Sequence, residues 1–366
     1  MTVERIAGVG VWIVIASAGV MGQQRDDRNV TRPEAPAESV VVERTYPLGG
    51  VLPSRSVETR SDSGGRAVVT ETIETPNLDD KLAPTREVIT ETIASEPNTV
   101  QTKREVFGFL APGQRMLFET TRSKRETLPD GTTRAAVNIL APDVNGRPGL
   151  TFEQIQHTKS VAPDLKQADT AVFRPGIDGP LRESERLQQT ERQVQPDVTR
   201  NDRTLFVRDA NGRFPTTETS SRVVRTTGPS ESVEEETIQR LDVNGKLTVS
   251  ERNVTRHIQA NGQNQVITET FSRNVAGLVS GNRLELSQRV RRTTTSNADK
   301  GGQTVEEVEA RVPGFPNEPL RVVRRTVETT RRVNTEQSQT ERHVYLLDEN
   351  GRLALAIDET GAVTEK

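Results

Sequence analysis

The sequence predicts an all-β fold in which tandem two-stranded units of about 33 residues form a long, twisted antiparallel β-meander, open or curled on itself. Three observations carry this. Glycines fall at 113, 146, 179, 212 and 245 in steps of 33, and then at 281, 314 and 351. A second turn signal lies near the middle of each interval. The segments between turns are rich in Val, Thr and Ile and alternate, which is the composition and period of strands. A closed barrel or a propeller-like ring is the alternative, because closure depends on twist and stagger rather than on residue type.

Taken in order, the chain opens with Arg5 and the apolar run Ile6–Ile15, followed by Ala16-Ser17-Ala18, the pattern of a cleaved signal peptide over 1–22. Residues 23–39 carry charge and proline with little apolar mass and read as a disordered linker. Less regular hairpins fill 40–113, with strands expected at Val40–Arg44, Val57–Arg60 and Ala67–Ile73. The regular repeats occupy 114–366.

Within those repeats one turn is Asp-x-Asn-Gly, at Asp143–Gly146, Asp209–Gly212, Asp242–Gly245 and Asp348–Gly351. Asp and Asn fold back onto the backbone, and Asn-Gly suits a tight hairpin because both residues accept positive φ. The other turn is Pro129-Asp130-Gly131, Pro163-Asp164, Pro196-Asp197, Gly228-Pro229, Asn261-Gly262 or Asp299-Lys300-Gly301. Apolar residues crowd the first kind, as in Val344–Leu347 and Leu353–Ile357, and polar residues the second. The apolar pieces should line up as a stripe along one margin and pack by curling of the sheet, by a second layer or against a partner.

Strands such as Val266–Phe271 mix charged and apolar residues on one face and are hydroxylic on the other. Runs such as Arg321–Arg332 and Glu119–Glu126 read as cross-strand ladders of Glu and Arg, which also protect against strand aggregation.

Composition excludes more than it assigns. A net charge of −3 gives no basic field for nucleic acid, and the absence of Cys removes disulfides, thiolate metal sites and a cysteine nucleophile. The Asp-x-Asn-Gly turns lack the distal Glu of a calcium loop, and His157, His257 and His343 stand far apart. No nucleophile elbow or phosphate-cradling loop is present. No catalytic, cofactor-binding or metal-ligating set emerges, so no cofactor is expected and the chain reads as non-enzymatic.

Asp348–Leu353 is similar to the turn of YD-repeat (RHS-type) β-proteins, although their Tyr-Asp signature is missing. The tally of about eighteen strands behind an export signal looks like an outer-membrane barrel, a family that wants an apolar outer side and aromatic girdles. The expectation is an exported protein, periplasmic, surface-bound or secreted, with a structural, scaffold or adhesive role in the cell envelope. It has no stable membrane span after signal cleavage, no nucleic-acid partner, and room for a protein or cell-surface partner. The alternatives are an extracytoplasmic binding module for a peptide, glycan or protein, and an outer-membrane barrel.

Overall fold

The computed structural model describes residues 38–45, 54–63, 65–77, 79, 81–96, 98–111, 114–143, 146–176, 179–260, 262–273, 283–297, 301–311, 319–333 and 337–364. All lie in the unit Ala35–Lys366. The expected signal peptide, the linker up to residue 37, and Gly113, Gly281 and Gly314 fall outside the described residues.

Twenty strands follow one another: β1 Glu38–Thr45, β2 Ser54–Ser63, β3 Arg66–Pro76, β4 Leu82–Glu96, β5 Thr99–Ala111, β6 Gln114–Thr127, β7 Thr133–Pro142, β8 Pro148–Ala162, β9 Leu165–Pro175 and β10 Leu181–Gln195. The series continues with β11 Val198–Val207, β12 Thr216–Gly228, β13 Glu231–Leu241, β14 Leu247–Ala260, β15 Gln263–Ser272, β16 Glu285–Asn297, β17 Gly301–Ala310, β18 Arg321–Arg332, β19 Gln337–Leu347 and β20 Leu353–Thr364. All three strands expected before residue 75 are present, each longer than its apolar core.

Every strand pairs antiparallel with its sequence neighbours, and β1 also pairs with β20. Val42 faces Ser56 of β2 on one side and Gly361 of β20 on the other. The hairpin meander is therefore the predicted one, but it closes into a single ring instead of staying open. An open sheet would leave two edges with unpaired backbone groups, and closure satisfies both. The result is a barrel, not a propeller, because one continuous sheet makes the wall.

The two rims differ. Connections after even-numbered strands have two to five residues, whereas those after odd-numbered strands have five to twelve apart from 112–113. β1 starts and β20 ends at the short-turn rim, where Ser39 faces Thr364. There five of the turns are tied to the next hairpin: the carbonyls of Gly65, Asn98, Asp164, Asp197 and Ser230 accept from the N–H groups of Ala94, Thr127, Gln193, Thr226 and Gln259 at 2.8–3.0 Å.

At the long-turn rim the Asp-x-Asn-Gly segments are three-residue loops rather than two-residue ones. Gly212 N–H donates to Asp209 O at 3.0 Å, Asp209 N–H donates to Arg213 O at 2.8 Å, and Gly212 has φ 79°. Only the glycine needs the left-handed region, so the turn is a type I turn followed by a glycine bulge. Asp209 Oδ1 accepts from the N–H groups of Asn211 and Arg213, and the same fold-back holds at Asp242 and Asp348.

A bulge recurs just inside that rim. One extra residue interrupts the register at Thr85, Phe118, Thr151, Ser184, Thr217, Ser250, Ser287, Val323 and Ala356. Six of the nine are Ser or Thr, and each of these hydroxyls donates to a carbonyl of the strand before it: Thr217 to Leu205 at 3.1 Å, Ser250 to Ile238 at 3.2 Å, and likewise at 85, 151, 184 and 287. A bulge leaves local ladder groups out of register, and the hydroxyl supplies a replacement donor. Thr217→Val and Ser250→Ala should each lower stability by about 1 kcal/mol, read as a lower urea midpoint at unchanged slope. An unshifted midpoint in both would show that the bulge does not depend on its hydroxyl.

Candidate functional site

Cross-strand partners share a face, so the register sorts the wall into two surfaces. Buried side chains concentrate on one of them: Ser56, Val88, Val137, Thr170, Ser220, Val308, Val344 and Glu359, against Thr99 and Thr120 on the other. Side chains pointing into a closed ring converge and those pointing out diverge, which identifies the crowded surface as the lumen wall. Twenty strands about 4.8 Å apart and tilted by about 40° close a ring about 40 Å across, wide enough for an aqueous channel. Among the described residues, strands touch only their near neighbours around the ring.

Neither surface is apolar. Arg122, Arg200, Arg252 and Arg291 stand on the outer side, and Arg104, Arg203, Arg222 and Arg292 on the lumen side. The expected Glu–Arg ladders are there: Arg324 meets Glu306 at 2.8 Å, Arg325 meets Glu307 at 3.7 Å and Arg104 meets Glu119 at 3.6 Å. Arg289 lies between Glu269 at 2.8 Å and Glu309 at 3.0 Å. Threonine pairs bridge neighbouring strands on the lumen side, as in Thr255–Thr268 at 3.0 Å and Thr330–Thr340 at 3.1 Å.

The apolar stripe becomes a belt around the long-turn rim. Every described aromatic residue lies there: Phe107, Phe109, Phe118, Phe152, Phe173, Phe206, Phe214, Phe271 and Tyr345. Arginines cover some of them, with Arg115 3.5 Å above Phe107 and Arg186 4.3 Å above Phe214. Others are open to solvent; Val243, at the tip of its turn, is 101% exposed.

One recess on the lumen wall is chemically distinct. It has a volume of about 450 Å³ and runs across β16–β20, where Arg292, Glu306, Thr326, Val344 and Ile357 form one cross-strand row. The row beside it holds Glu328, Arg342 and Glu359. Glu306 is held by Arg324 at 2.8 Å and Arg342 by Glu359 at 2.9 Å. Arg292 and Glu328, each beside an already engaged partner, make no hydrogen bond or ion pair among the described residues. A smaller recess of about 290 Å³ on the outer side gathers Arg256, Arg289 and Arg291 around Ile267.

The structure brings together two pairs that the sequence reading did not. His343 Nδ1 lies 3.1 Å from Asp358 Oδ1, and His157 stands opposite Asp169. No linear spacing could reveal either, because both are made by register. His257 stands opposite Val266. Among the described residues no group of three or more His, Asp or Glu is placed to hold a metal ion.

The Asp242 carboxyl is held below its ordinary range, first by the Lys246 N–H and then by the Asn244 N–H. A lowered folded-state pKa adds stability above the unfolded value of about 3.9 and loses it as pH falls through the folded value. Asp242→Ala should therefore unfold at lower denaturant than the parent at pH 7, and the gap should shrink as pH falls below about 3.9. A gap independent of pH would remove the carboxylate from the turn's stability.

The sequence matches no protein-family model and no curated protein. Among solved structures the chain is similar to barrels. They include the siderophore receptor PirA of Pseudomonas aeruginosa, at 8% identity over 91% of this chain and 81% of that one, TM-score 0.47. OccAB4 of Acinetobacter baumannii is similar at 8% identity over 90% and 96%, TM-score 0.47. OccK3 (OpdO) of Pseudomonas aeruginosa follows at 8% over 89% and 94%, TM-score 0.44. At such values the likeness says nothing of what this chain does, and the functional reading rests on the barrel's own geometry.

Proposed function

We propose that the chain is an exported, non-enzymatic β-barrel of outer-membrane type whose polar lumen passes or holds small water-soluble solutes. The observation that carries this reading is the closure of twenty strands through β1. An even strand number, pairing between sequence neighbours apart from the closing pair β1–β20, unlike rims, and a first and last strand that meet at the short-turn rim are the features of such barrels. Apart from β1, the strands have 10 to 15 residues, enough to cross a bilayer at about 9–11.

The wall sets a condition. Each Arg at mid-bilayer on a lipid-facing side costs about 2–4 kcal/mol, so Arg122, Arg252 and Arg291 alone would cost about 6–12 kcal/mol. Lipid contact therefore suits the apolar belt at the long-turn rim rather than the full height. The same charges favour a second reading, a water-soluble tube that serves as an envelope scaffold.

One experiment separates them. Full-length protein, purified with and without detergent, is added to planar lipid bilayers. Stepwise conductance together with detergent-dependent solubility is the expected result. A detergent-free soluble monomer that leaves the bilayer silent would overturn the membrane reading in favour of the tube.

A further inference from the structure

We infer that the recess across β16–β20 is a binding site for a zwitterionic solute of short-peptide size, whose free carboxylate meets Arg292 and whose free ammonium meets Glu328. The inference rests on reading the lumen as the working surface and adds a ligand class to it.

The charges around the recess are mismatched in number and position. Arg292 and Arg324 both neighbour Glu306, and Arg324 has it at 2.8 Å. Glu328 and Glu359 both neighbour Arg342, and Glu359 has it at 2.9 Å. Two pairs form, and one cation on β16 and one anion on β18 are left over. Both leftover side chains are exposed in the open lumen, so leaving them unpaired costs little, but each is a ready charge-assisted partner.

Spacing selects the ligand. Arg292 and Glu328 are two strands and two residues apart, which puts their Cα atoms about 12 Å from one another. Two extended residues cover about 7 Å, and the reach of a guanidinium and a carboxylate spans the rest. Beyond Glu328, on β19 and β20, lie Val344, 5% exposed, with Leu346 and Ile357, an apolar floor for a side chain at the ammonium end. A simple anion or cation would satisfy one corner only. The outer recess offers no comparable pair, since Arg289 already holds its Glu269.

Calorimetric titration of the full chain with Ala-Leu, N-acetyl-Ala-Leu and Ala-Leu amide tests the assignment. The free dipeptide should bind at least tenfold more tightly than either blocked form. Arg292→Gln should abolish the preference for the free carboxylate and keep that for the free amine; Glu328→Gln should do the reverse. Circular dichroism confirms that both variants keep the barrel. Three probes that bind alike, or none that binds, would overturn the proposal. Because the titration needs only the folded barrel, its result is independent of whether the bilayer shows conductance.

Discussion

The constraint on which the rest depends is that every strand must be paired on both sides. With no helix or second layer among the described residues, a ring is the one arrangement of this sheet that leaves no edge. Closure imposes a parity: the face that Val42 shares with Ser56 on one side must be the face it shares with Gly361 on the other. Following the pairings through the other strands returns to that same face, so each bulge must be placed to keep the account of faces consistent. The nine bulges inside the long-turn rim all fall on even-numbered strands and at the same level. They sharpen the local twist where the wall needs it, and further register shifts fall only beside the turns, as at Ala94/Glu96, Ser160/Ala162, Gln193/Gln195 and Thr226/Gly228.

This arrangement explains how a chain with 32% apolar residues can hold a defined wall. Among the described residues hardly any side chain is enclosed; Val88, Val137, Val308 and Val344 are the buried apolar ones. Order comes from ladder hydrogen bonds and from cross-strand pairs worth about 0.2–1 kcal/mol each. Such pairs are weak singly, but every strand lies between two neighbours and the pairs recur round the ring. Charged residues stand on both faces, which a wall bathed by water tolerates and a full-height lipid band would not.

Much of this was legible in the sequence. The alternation of Val68–Ile73 and Val266–Phe271, the Asp-x-Asn-Gly turns, the ladder in Arg321–Arg332 and the unlike ends of the hairpins could each be read from local pattern, because each depends on residues close together in the chain. The loop type at Asp209 was misjudged by one residue, since Asn-Gly fits both a two-residue turn and the end of a three-residue one. The hydroxyls at 85, 151, 184, 217 and 250 repeat at the glycine interval, yet Ser and Thr are so common here that the signal was hidden. Closure was not legible at all, because β1 and β20 lie at opposite ends of the chain and meet only through accumulated twist and stagger.

The lumen recess shows why site chemistry was the least legible part. Arg292, Glu306, Arg324, Glu328, Arg342 and Glu359 look, one by one, like members of the same solvated ladder. What separates them is which partner each one takes, and that is settled by register across five strands. Rigid strands, not loops, carry every one of these groups, so their spacing is fixed before a ligand arrives. The recess also lies on the better-paired side of the seam: β19 and β20 have 11 and 12 residues, whereas β1, which closes the ring, has 8. The short strand β1 has the fewest ladder bonds to lose, so local opening is least costly there, and the sector that holds Arg292 and Glu328 keeps its geometry whether or not the seam breathes.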